Sequence, residues 1–221
     1  MKIAALIPVK GFANAKQRLS ALLTGAERAL LAETMMRDVV AQTIAARGLE
    51  AVYVVTGDEY VRELAASLGA QVIMEEEENG ETGAVEFARS ELKKRAMDAA
   101  LVIPADMPLV RTSDIEQVIS QRTGAAPFAL LVPSHDRMGT NALLLAPPDV
   151  IQLRFGYDSF SYHLSQVADR GLPLMIVENE RLALDIDEPE DLERFITAGG
   201  GPGATYGTVM DMRAAARGTG A

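Results

Sequence analysis

The chain has 221 residues, enough for one domain with a sizeable hydrophobic core. It contains no cysteine, which excludes disulfides and thiolate metal sites. The formal net charge of −10 argues against a nucleic-acid partner, because phosphate backbones are bound by basic surfaces. No apolar run approaches the ~20 residues of a membrane span, and the first one is too short for a signal-peptide core. We therefore expect a cytoplasmic protein with no membrane partner.

Short apolar runs alternate with longer segments of helical period through the first half of the chain. A capping box, Thr24 to Glu27, predicts a helix that ends near Arg47, with Gly48 as its stop. Two more helices are predicted, one from the turn at 56–58 to Gly69 and one from about Glu81 to Met97, and the run from Glu75 to Glu78 is predicted as a loop. The predicted strands are Ile3–Ile7, Ala51–Val55, Gln71–Met74 and Ala100–Ile103. This alternation indicates βαβ units and a mostly parallel sheet covered on both faces.

The second half predicts a less regular extension of that sheet. A second capping box, Ser113 to Glu116, predicts a helix that ends near Gly124. Two strands close together, Phe128–Val132 and Ala142–Leu145, indicate an antiparallel or mixed part of the sheet. The other predicted elements are helix Ser159–Arg170, strands Leu174–Val177 and Leu182–Ile186, and helix Asp187–Thr197. Residues 1–198 are predicted as a single domain, and residues 199–221, rich in Gly and Ala, as a mobile tail.

The loop after the first strand, residues 8–20, is a candidate polyanion site. Residues 1–26 include Lys10, Lys16 and Arg18 and lack Asp and Glu. Gly11 is the only glycine of the loop, so it is neither a dinucleotide fingerprint nor a P-loop. Cations at the carboxyl end of a strand, beside free amides of a helix start, suit a triphosphate. A solvated surface loop is the alternative.

Carboxylates follow two later segments. Asp106 leaves the most hydrophobic strand in a turn bracketed by Pro104 and Pro108, and a rigid carboxylate there suits Mg²⁺. Asp also starts turns for local hydrogen-bonding reasons. Asp185 or Asp187 could complete the metal site, or Asp187 could cap the final helix, and one Asp could do both.

The two histidines, His135 and His163, have no Ser or Cys partner motif, so a triad hydrolase is not indicated. Nucleotidyl transfer fits the residues better. A phosphate or carboxylate oxygen that attacks the α-phosphorus of a nucleotide is already ionised at neutral pH and needs no general base. Catalysis is then positioning and charge neutralisation by Mg²⁺, cationic side chains and backbone amides.

Six segments in the same order resemble one known family. They are Ile7–Lys10, Ala15–Ser20, Ala105–Pro108, Gly139–Leu143, Phe155–Phe160 with His163, and Leu184–Leu192. Together they resemble the 2-phospho-L-lactate guanylyltransferase family, whose bacterial relatives use phosphoenolpyruvate or 3-phosphoglycerate. The resemblance implies a Rossmann-like, three-layer α/β/α nucleotidyltransferase fold. It also implies an Mg²⁺-dependent enzyme that joins GMP from GTP to a small phosphorylated acid and releases pyrophosphate, in coenzyme F-420 biosynthesis.

The resemblance also implies residue roles. The implied catalytic residues are Lys16, Asp106 and Asp187. The implied nucleotide-binding residues are Pro8, Lys10, Lys16, Arg18, Gly83 and Asp106. The implied metal ligands are Asp106, Asp187 and Asp185, and the implied phosphoacid-binding residues are Thr140, Gly156 and Ser159.

The sequence departs from the family in two places. The family's Gly-Leu-Asn-x-Ala stretch reads Gly-Glu-Thr-Gly-Ala from Gly80, without the Asn, and Met138 replaces a second glycine. The preferred base and the acceptor therefore stay open. One alternative is a nucleotidyltransferase of the same fold that acts on a molybdopterin or a sugar phosphate, and another is a non-catalytic nucleotide-binding module. The missing glycine fingerprint disfavours a dehydrogenase. The sequence leaves the oligomeric state open, with a homodimer as one option.

Overall fold

The computed structural model describes residues 1–75, 80–121 and 125–218. The predicted loop beyond Glu75 and the predicted helix end at Gly124 lie outside the described residues. The strands are β1 Ile3–Pro8, β2 Ala51–Thr56, β3 Gln71–Met74, β4 Ala99–Val102, β5 Phe128–Pro133, β6 Thr140–Ala146 and β7 Leu174–Ile176. The helices are α1 Gly25–Ala45, α2 Glu59–Ser67, α3 Gly80–Lys94, α4 Thr112–Ser120, α5 Ser159–Asp169, α6 Pro189–Thr197 and α7 Thr205–Gly218.

The strands form one mixed sheet in the order β3-β2-β1-β4-β6-β5-β7. β6 runs antiparallel to both of its neighbours, and the other pairs are parallel. Alternate residues of β1 enter different cores: Ile3 and Ile7 pack with α1, α2 and α4, whereas Ala4 and Leu6 pack with α3 and α5. Helices therefore cover both faces, which confirms the predicted three-layer, mostly parallel sheet with an antiparallel extension.

The topology opens a crevice between β1 and β4. From β1 the chain moves outward to β2 and β3, then returns to place β4 on the other side of β1. β1 and β4 are in parallel register, and the Ile103 amide continues the ladder to the Leu6 carbonyl at 3.0 Å. At such a switch point the loops diverge and leave room for a ligand at the carboxyl ends of the strands.

One of the two predicted capping boxes is present. The Glu27 amide donates to Thr24 Oγ1 at 3.3 Å, and the Thr24 amide donates to Glu27 Oε2 at 2.8 Å, as predicted. The predicted Ser113 box is wrong. α4 begins at Thr112, where the Arg111 amide donates to the Asp114 carboxylate at 2.9 Å. Asp114 thus caps the helix from inside its first turn. The residue at which α4 begins depends on where the preceding loop enters the helix.

Two predictions near the carboxyl end also need correction. Leu182–Ile186 is not a strand but an irregular segment that bonds to loops: the Ile186 amide donates to the Asp106 carbonyl at 3.1 Å. α6 begins at Pro189 rather than Asp187, and Glu188 occupies its N-cap position. The Glu188 amide donates to the Asp191 carboxylate at 2.9 Å. The side chain of Asp187 is therefore not needed as a cap.

The prediction of a mobile tail from residue 199 is wrong for residues 205–218, which form α7 and pack on α1. Val209 and Met212 are buried there, and the tail's last three residues lie outside the described residues. Within the described parts of the chain, no helix is long and apolar enough to cross a membrane.

Candidate active site

A cavity of about 600 Å³ opens at the carboxyl ends of β1 and β4. Its lining includes five of the residues singled out by sequence, namely Pro8, Lys10, Lys16, Asp106 and Asp187. The volume lies in the range of sites that hold a small ligand. The crevice at the switch point between β1 and β4 is therefore the place where these five residues meet.

Lys16 lies at the centre of this group. Its Nζ donates to Asp106 Oδ2 and to Asp187 Oδ1, both at 2.8 Å, across 90 and 171 positions of sequence. Its backbone is left-handed, with φ 51° and ψ 43°, a conformation that non-glycine residues rarely adopt and that recurs at functional sites. Burial would lower the pKa of Lys16, but the two carboxylates outweigh burial and raise the pKa above its usual value. Lys16 is thus a fixed cation, and we call Lys16, Asp106 and Asp187 the ion-pair triad.

The two carboxylate oxygens of Asp106 differ in their hydrogen bonding. Oδ2 accepts from Lys16, whereas Oδ1 is buried and has no hydrogen-bond partner among the described residues. The loop cannot easily swing outward, because Ile103 and Met107 on either side are buried. An unpaired buried carboxylate oxygen is costly, and a divalent cation would satisfy it. The residues present therefore fit a magnesium ion that completes its shell with ligand oxygens.

Asp185 and Asp187 present their carboxylates differently. The Asp187 side chain is 46% exposed and faces the cavity, where it pairs with Lys16. Asp185 Oδ1 accepts from Asn141 Nδ2 at 2.9 Å. Burial, with the nearby Asp106 charge, raises the pKa of Asp185 to about 6. No three acidic or histidine side chains in the described ranges form a ready-made metal cage, so a metal would depend on oxygens from its substrate.

Two acidic residues of the site were missed by sequence reasoning. Burial, helped by the Asp106 and Asp187 charges, raises the pKa of Glu81 to about 7, against the opposing effect of Lys10 and Lys16. Its only sequence signal was the departure from the family pattern. Asp58 lines the cavity and caps α2, with the Val61 amide donating to its carboxylate at 3.0 Å. Its signal was available, since it follows β2 at the same edge of the sheet.

The close approach of Asp58 explains Gly11. A Cβ at Gly11 would lie 3.3 Å from Asp58 Cγ and would overlap a carboxylate oxygen. The cavity therefore brings together the ammonium groups of Lys10 and Lys16 and the carboxyl groups of Asp58, Asp106 and Asp187. Glu81 and Asp185 are not among the described residues that line it, but burial, together with the Asp106 charge, raises the pKa of both. A polyanion can enter such a site favourably only if it brings divalent cations with it.

A second group of predicted residues surrounds a buried histidine. The Thr140 amide donates to Ser159 Oγ at 3.0 Å, and Thr140 Oγ1 lies 2.9 Å from His163 Nδ1. Because His163 Nε2 accepts from the Arg154 amide at 3.2 Å, we assign the proton to Nδ1, which donates to Thr140 Oγ1. Burial lowers the pKa of His163 to about 4, so this imidazole is neutral. The Thr140 hydroxyl hydrogen is left for another acceptor.

Gly156 lies beside this group in an exposed loop, with φ +100°. The Ser159 amide donates to its carbonyl at 3.2 Å. Thr140, Gly156 and Ser159 are not among the described residues that line the 600 Å³ cavity. α3 joins the two groups, because Glu81 faces the ion-pair triad while Thr82 Oγ1 accepts from the Phe155 amide at 3.0 Å.

Arg18 and Gly83 lie apart from the main cavity. Arg18 is exposed and pairs with Glu188 at 3.3 Å. It lines a neighbouring cavity of about 290 Å³ that shares Asp187 with the main one. Gly83 lies half-buried in α3 and is not among the described residues that line the 600 Å³ cavity. Within the described ranges, the hydrogen bonds of the ion-pair triad involve neither Arg18 nor Gly83.

Comparison with proteins of known sequence gives consistent relatives. The chain is 38% identical to a phosphoenolpyruvate guanylyltransferase of Rubrobacter xylanophilus, over 90% of this chain and 96% of the relative. It is 35% identical to a 2-phospho-L-lactate guanylyltransferase of Methanothermobacter thermautotrophicus, over 91% and 87% of the two chains. A 3-phospho-D-glycerate guanylyltransferase of Phenylobacterium zucineum is 34% identical, over 85% and 86%.

Comparison with solved structures supports the fold. A structure described as a nucleotide-diphospho-sugar transferase from Desulfovibrio desulfuricans G20 superposes with a TM-score of 0.78. The superposition covers 97% of this chain and 96% of that structure, and because the sequence identity is 16%, the similarity is evidence for the fold alone.

A model of a protein family described as "Guanylyl transferase CofC like" matches residues 3–209 of the chain. The chain therefore belongs to the CofC-like guanylyltransferase family and is a nucleotidyltransferase.

Proposed function

We propose that the protein is a magnesium-dependent guanylyltransferase that joins GMP from GTP to a small phosphorylated acid and releases pyrophosphate. The observation that carries the proposal is the ion-pair triad at the mouth of β1 and β4, with Lys16 Nζ 2.8 Å from both Asp106 and Asp187. This pairs a fixed cation for a polyphosphate with carboxylates for a metal, at the edge where α/β sheets bind ligands. The relatives' activities support guanine as the base and a phosphoacid as the acceptor.

Asp106 and Asp187 are the proposed metal ligands, and Asp185 is a further candidate. Asp106 Oδ1 is buried and unpartnered among the described residues, which favours it as the first ligand. Asp187 is half-exposed and can turn toward an ion that arrives with the nucleotide. A magnesium ion bound there would neutralise charge on the α-phosphate and the leaving pyrophosphate.

The chain's own residues would bind and orient the two substrates. Lys10 and Lys16 would hold the triphosphate, with Pro8 against the nucleotide. A phosphate oxygen of the acceptor attacks the α-phosphorus of GTP, and the bond from that phosphorus to the bridging oxygen of the β-phosphate breaks. Pyrophosphate leaves with the electron pair, and a P–O–P linkage joins GMP to the acceptor. The attacking oxygen is already ionised, so no side chain needs to remove a proton.

For the acceptor we propose the loops around Thr140, Gly156 and Ser159. The Thr140 hydroxyl hydrogen is free, because His163 Nδ1–H donates to its oxygen. Gly156 leaves its backbone open to an approaching anion, since nothing would lie within 4 Å of a Cβ there. We propose phosphoenolpyruvate as the first acceptor to test, because the relative that is 38% identical acts on it.

The test is pyrophosphate release with each nucleoside triphosphate against phosphoenolpyruvate, 2-phospho-L-lactate and 3-phosphoglycerate. We expect GTP with one of these acids to give turnover that EDTA abolishes. Reactions without an acceptor control for simple hydrolysis. Turnover with a sugar phosphate or a molybdopterin, but none with the acids, would transfer the protein to another acceptor class. An absence of turnover with every pair would refute the proposal.

A further inference from the structure

A small apolar cluster includes residues from all three segments that carry the ion-pair triad, and it is separate from the two clusters that cover the sheet. It contains Leu19, Leu109 and Ile186, each of which stands within three positions of a triad residue. α7 contributes Val209 and Met212 to the same cluster, and both are buried. α7 therefore packs against the apolar residues next to the ion-pair triad as well as against α1.

The glycine-rich segment before α7 makes a second, closer contact with the Asp106 loop. A Cβ on Gly201 would overlap the Pro108 carbonyl oxygen and would lie 2.9 Å from the Pro108 carbonyl carbon and 3.2 Å from Leu109 Cα. These are backbone atoms, which cannot turn away as a flexible side chain can. The backbone at Gly201 thus lies against the loop that holds Asp106, at a distance that only glycine permits.

A buried carboxylate fixes the start of α7 at this place. Asp38, on α1, accepts hydrogen bonds from the amides of Ala204 and Thr205, both at 2.9 Å, and from Thr205 Oγ1 at 2.6 Å. Both Asp38 and Thr205 are buried. A Cβ on Gly203 would overlap the Asp38 carboxylate, so this join is also tight. α7 is capped by a residue of another helix and is thereby held in register with the site.

We infer that residues 199–218 act as a brace that positions the Asp106 loop and, through the shared apolar cluster, the ion-pair triad. None of the residues 199–218 lines the 600 Å³ cavity, so their role is to position the site and not to contact the substrate. The inference rests on the proposed function only for its kinetic readout. The brace also predicts a change in loop protection that needs no substrate. Two hydrogen bonds of the Asp106 loop would report this change in amide protection. The Val110 amide donates to the Met107 carbonyl, and the Ile186 amide donates to the Asp106 carbonyl, both at 3.1 Å.

The experiment compares Gly201→Ala with Gly207→Ala in the full-length protein. Gly207 lies in α7, and a Cβ placed there would have nothing within 4 Å, so its substitution adds the same methyl without a clash. Amide hydrogen exchange without substrate should be faster over residues 104–110 and 186–187 in Gly201→Ala and unchanged in Gly207→Ala. In steady-state assays well below the melting temperature, Gly201→Ala should lose about 10- to 100-fold in kcat, the scale expected when reacting groups are misplaced by ~1 Å. The half-saturating Mg²⁺ concentration should rise with it, while the KM for GTP changes less.

A merely destabilising substitution would leave kcat per folded molecule and the Mg²⁺ requirement unchanged, and that result would overturn the inference. If Gly201→Ala does not fold, Met212→Ala removes a side chain of the same cluster without a clash and should shift exchange and kcat in the same direction. Wild-type protein without turnover would refute the proposed function alone. The comparison of exchange rates would still test the brace. Equal exchange rates in Gly201→Ala and Gly207→Ala would overturn the inference. Where Met212→Ala replaces Gly201→Ala, equal rates in Met212→Ala and Gly207→Ala would overturn it.

Discussion

Replacing Glu81 by Gln should stabilise the nucleotide-free protein, and should do so only above mildly acidic pH. Glu81 is a half-buried carboxyl group that faces the carboxylates of Asp106 and Asp187, and its pKa is raised from 4.5 to about 7. Below pH 4.5 the group is neutral in folded and unfolded protein, so it costs nothing. As pH rises from 4.5 to 7, the unfolded chain ionises first and stability falls. Above pH 7 the full cost is present.

The difference between the two pKa values corresponds to about 3 kcal/mol, at ~1.36 kcal/mol for each pKa unit. This is a ceiling, because the side chain keeps some contact with water. For a chain of this size 1 kcal/mol shifts the melting temperature by roughly 2 to 4 °C. Glu81→Gln should therefore melt up to ~10 °C above wild type at pH 8 and close to wild type at pH 4.5.

The assay is thermal unfolding in EDTA from pH 4.5 to 8, with the wild-type curve subtracted from the variant curve. Subtraction removes the contributions of other titrating groups. The matched control is Glu63→Gln, which removes the same charge from an exposed position of α2. A melting difference for Glu81→Gln that stays constant with pH, or that follows the Glu63→Gln curve, would refute the reasoning from burial and like charge.

Three further predictions concern Lys16 and Asp106 of the ion-pair triad and the buried His163. Lys16→Met should lower the free energy of unfolding by roughly 2 kcal/mol in EDTA, because the carboxylates of Asp106 and Asp187 lose their shared cation. Mg²⁺ should restore part of this loss. Melting curves with and without Mg²⁺ test the prediction, and no response to Mg²⁺ would contradict it. Asp106→Asn should keep the wild-type melting temperature within a few degrees but lose at least ~100-fold in kcat, measured as pyrophosphate release, and near-normal turnover would remove Asp106 from the mechanism. His163 is neutral and buried with a pKa of about 4, so its own contribution to stability should fall by about 3 kcal/mol as pH falls from 6.5 to 4, opposite in sign to the contribution of Glu81. The difference between the wild-type and His163→Gln stabilities, measured in urea titrations across this pH range, isolates that contribution, and a difference that does not change with pH would show that His163 does not carry it.

The sequence by itself determined the sheet and the place of the site. Apolar strands that alternate with capped helices specify parallel β1 to β4, because each such unit buries its strand only by crossing over a helix. Segments that follow parallel strands end at the same edge of the sheet, so the sequence predicts Lys16 and Asp106 at one edge. That their strands β1 and β4 are neighbours, which brings the two side chains together, was decided by the tertiary structure. The cap of α1 was predictable from local sequence, because Thr24 and Glu27 satisfy each other's amides three positions apart. The caps of α4 and α6, where Asp114 and Asp191 accept from the amides of Arg111 and Glu188, were not predicted, because the start of each helix depends on how the preceding loop enters it.

What only the tertiary structure decided depends on partners distant in sequence. Asp187 is free for Lys16 because Asp191 satisfies the start of α6, and Leu182–Ile186 is not a strand because its amides bond to loops. Glu81 joins the site through burial and through charges that no local pattern contains. α7 forms in a glycine-rich segment because Asp38, 167 positions away, caps it. The local sequence there lacks the helix signals it needed, and the stabilising contacts exist only once the chain has folded.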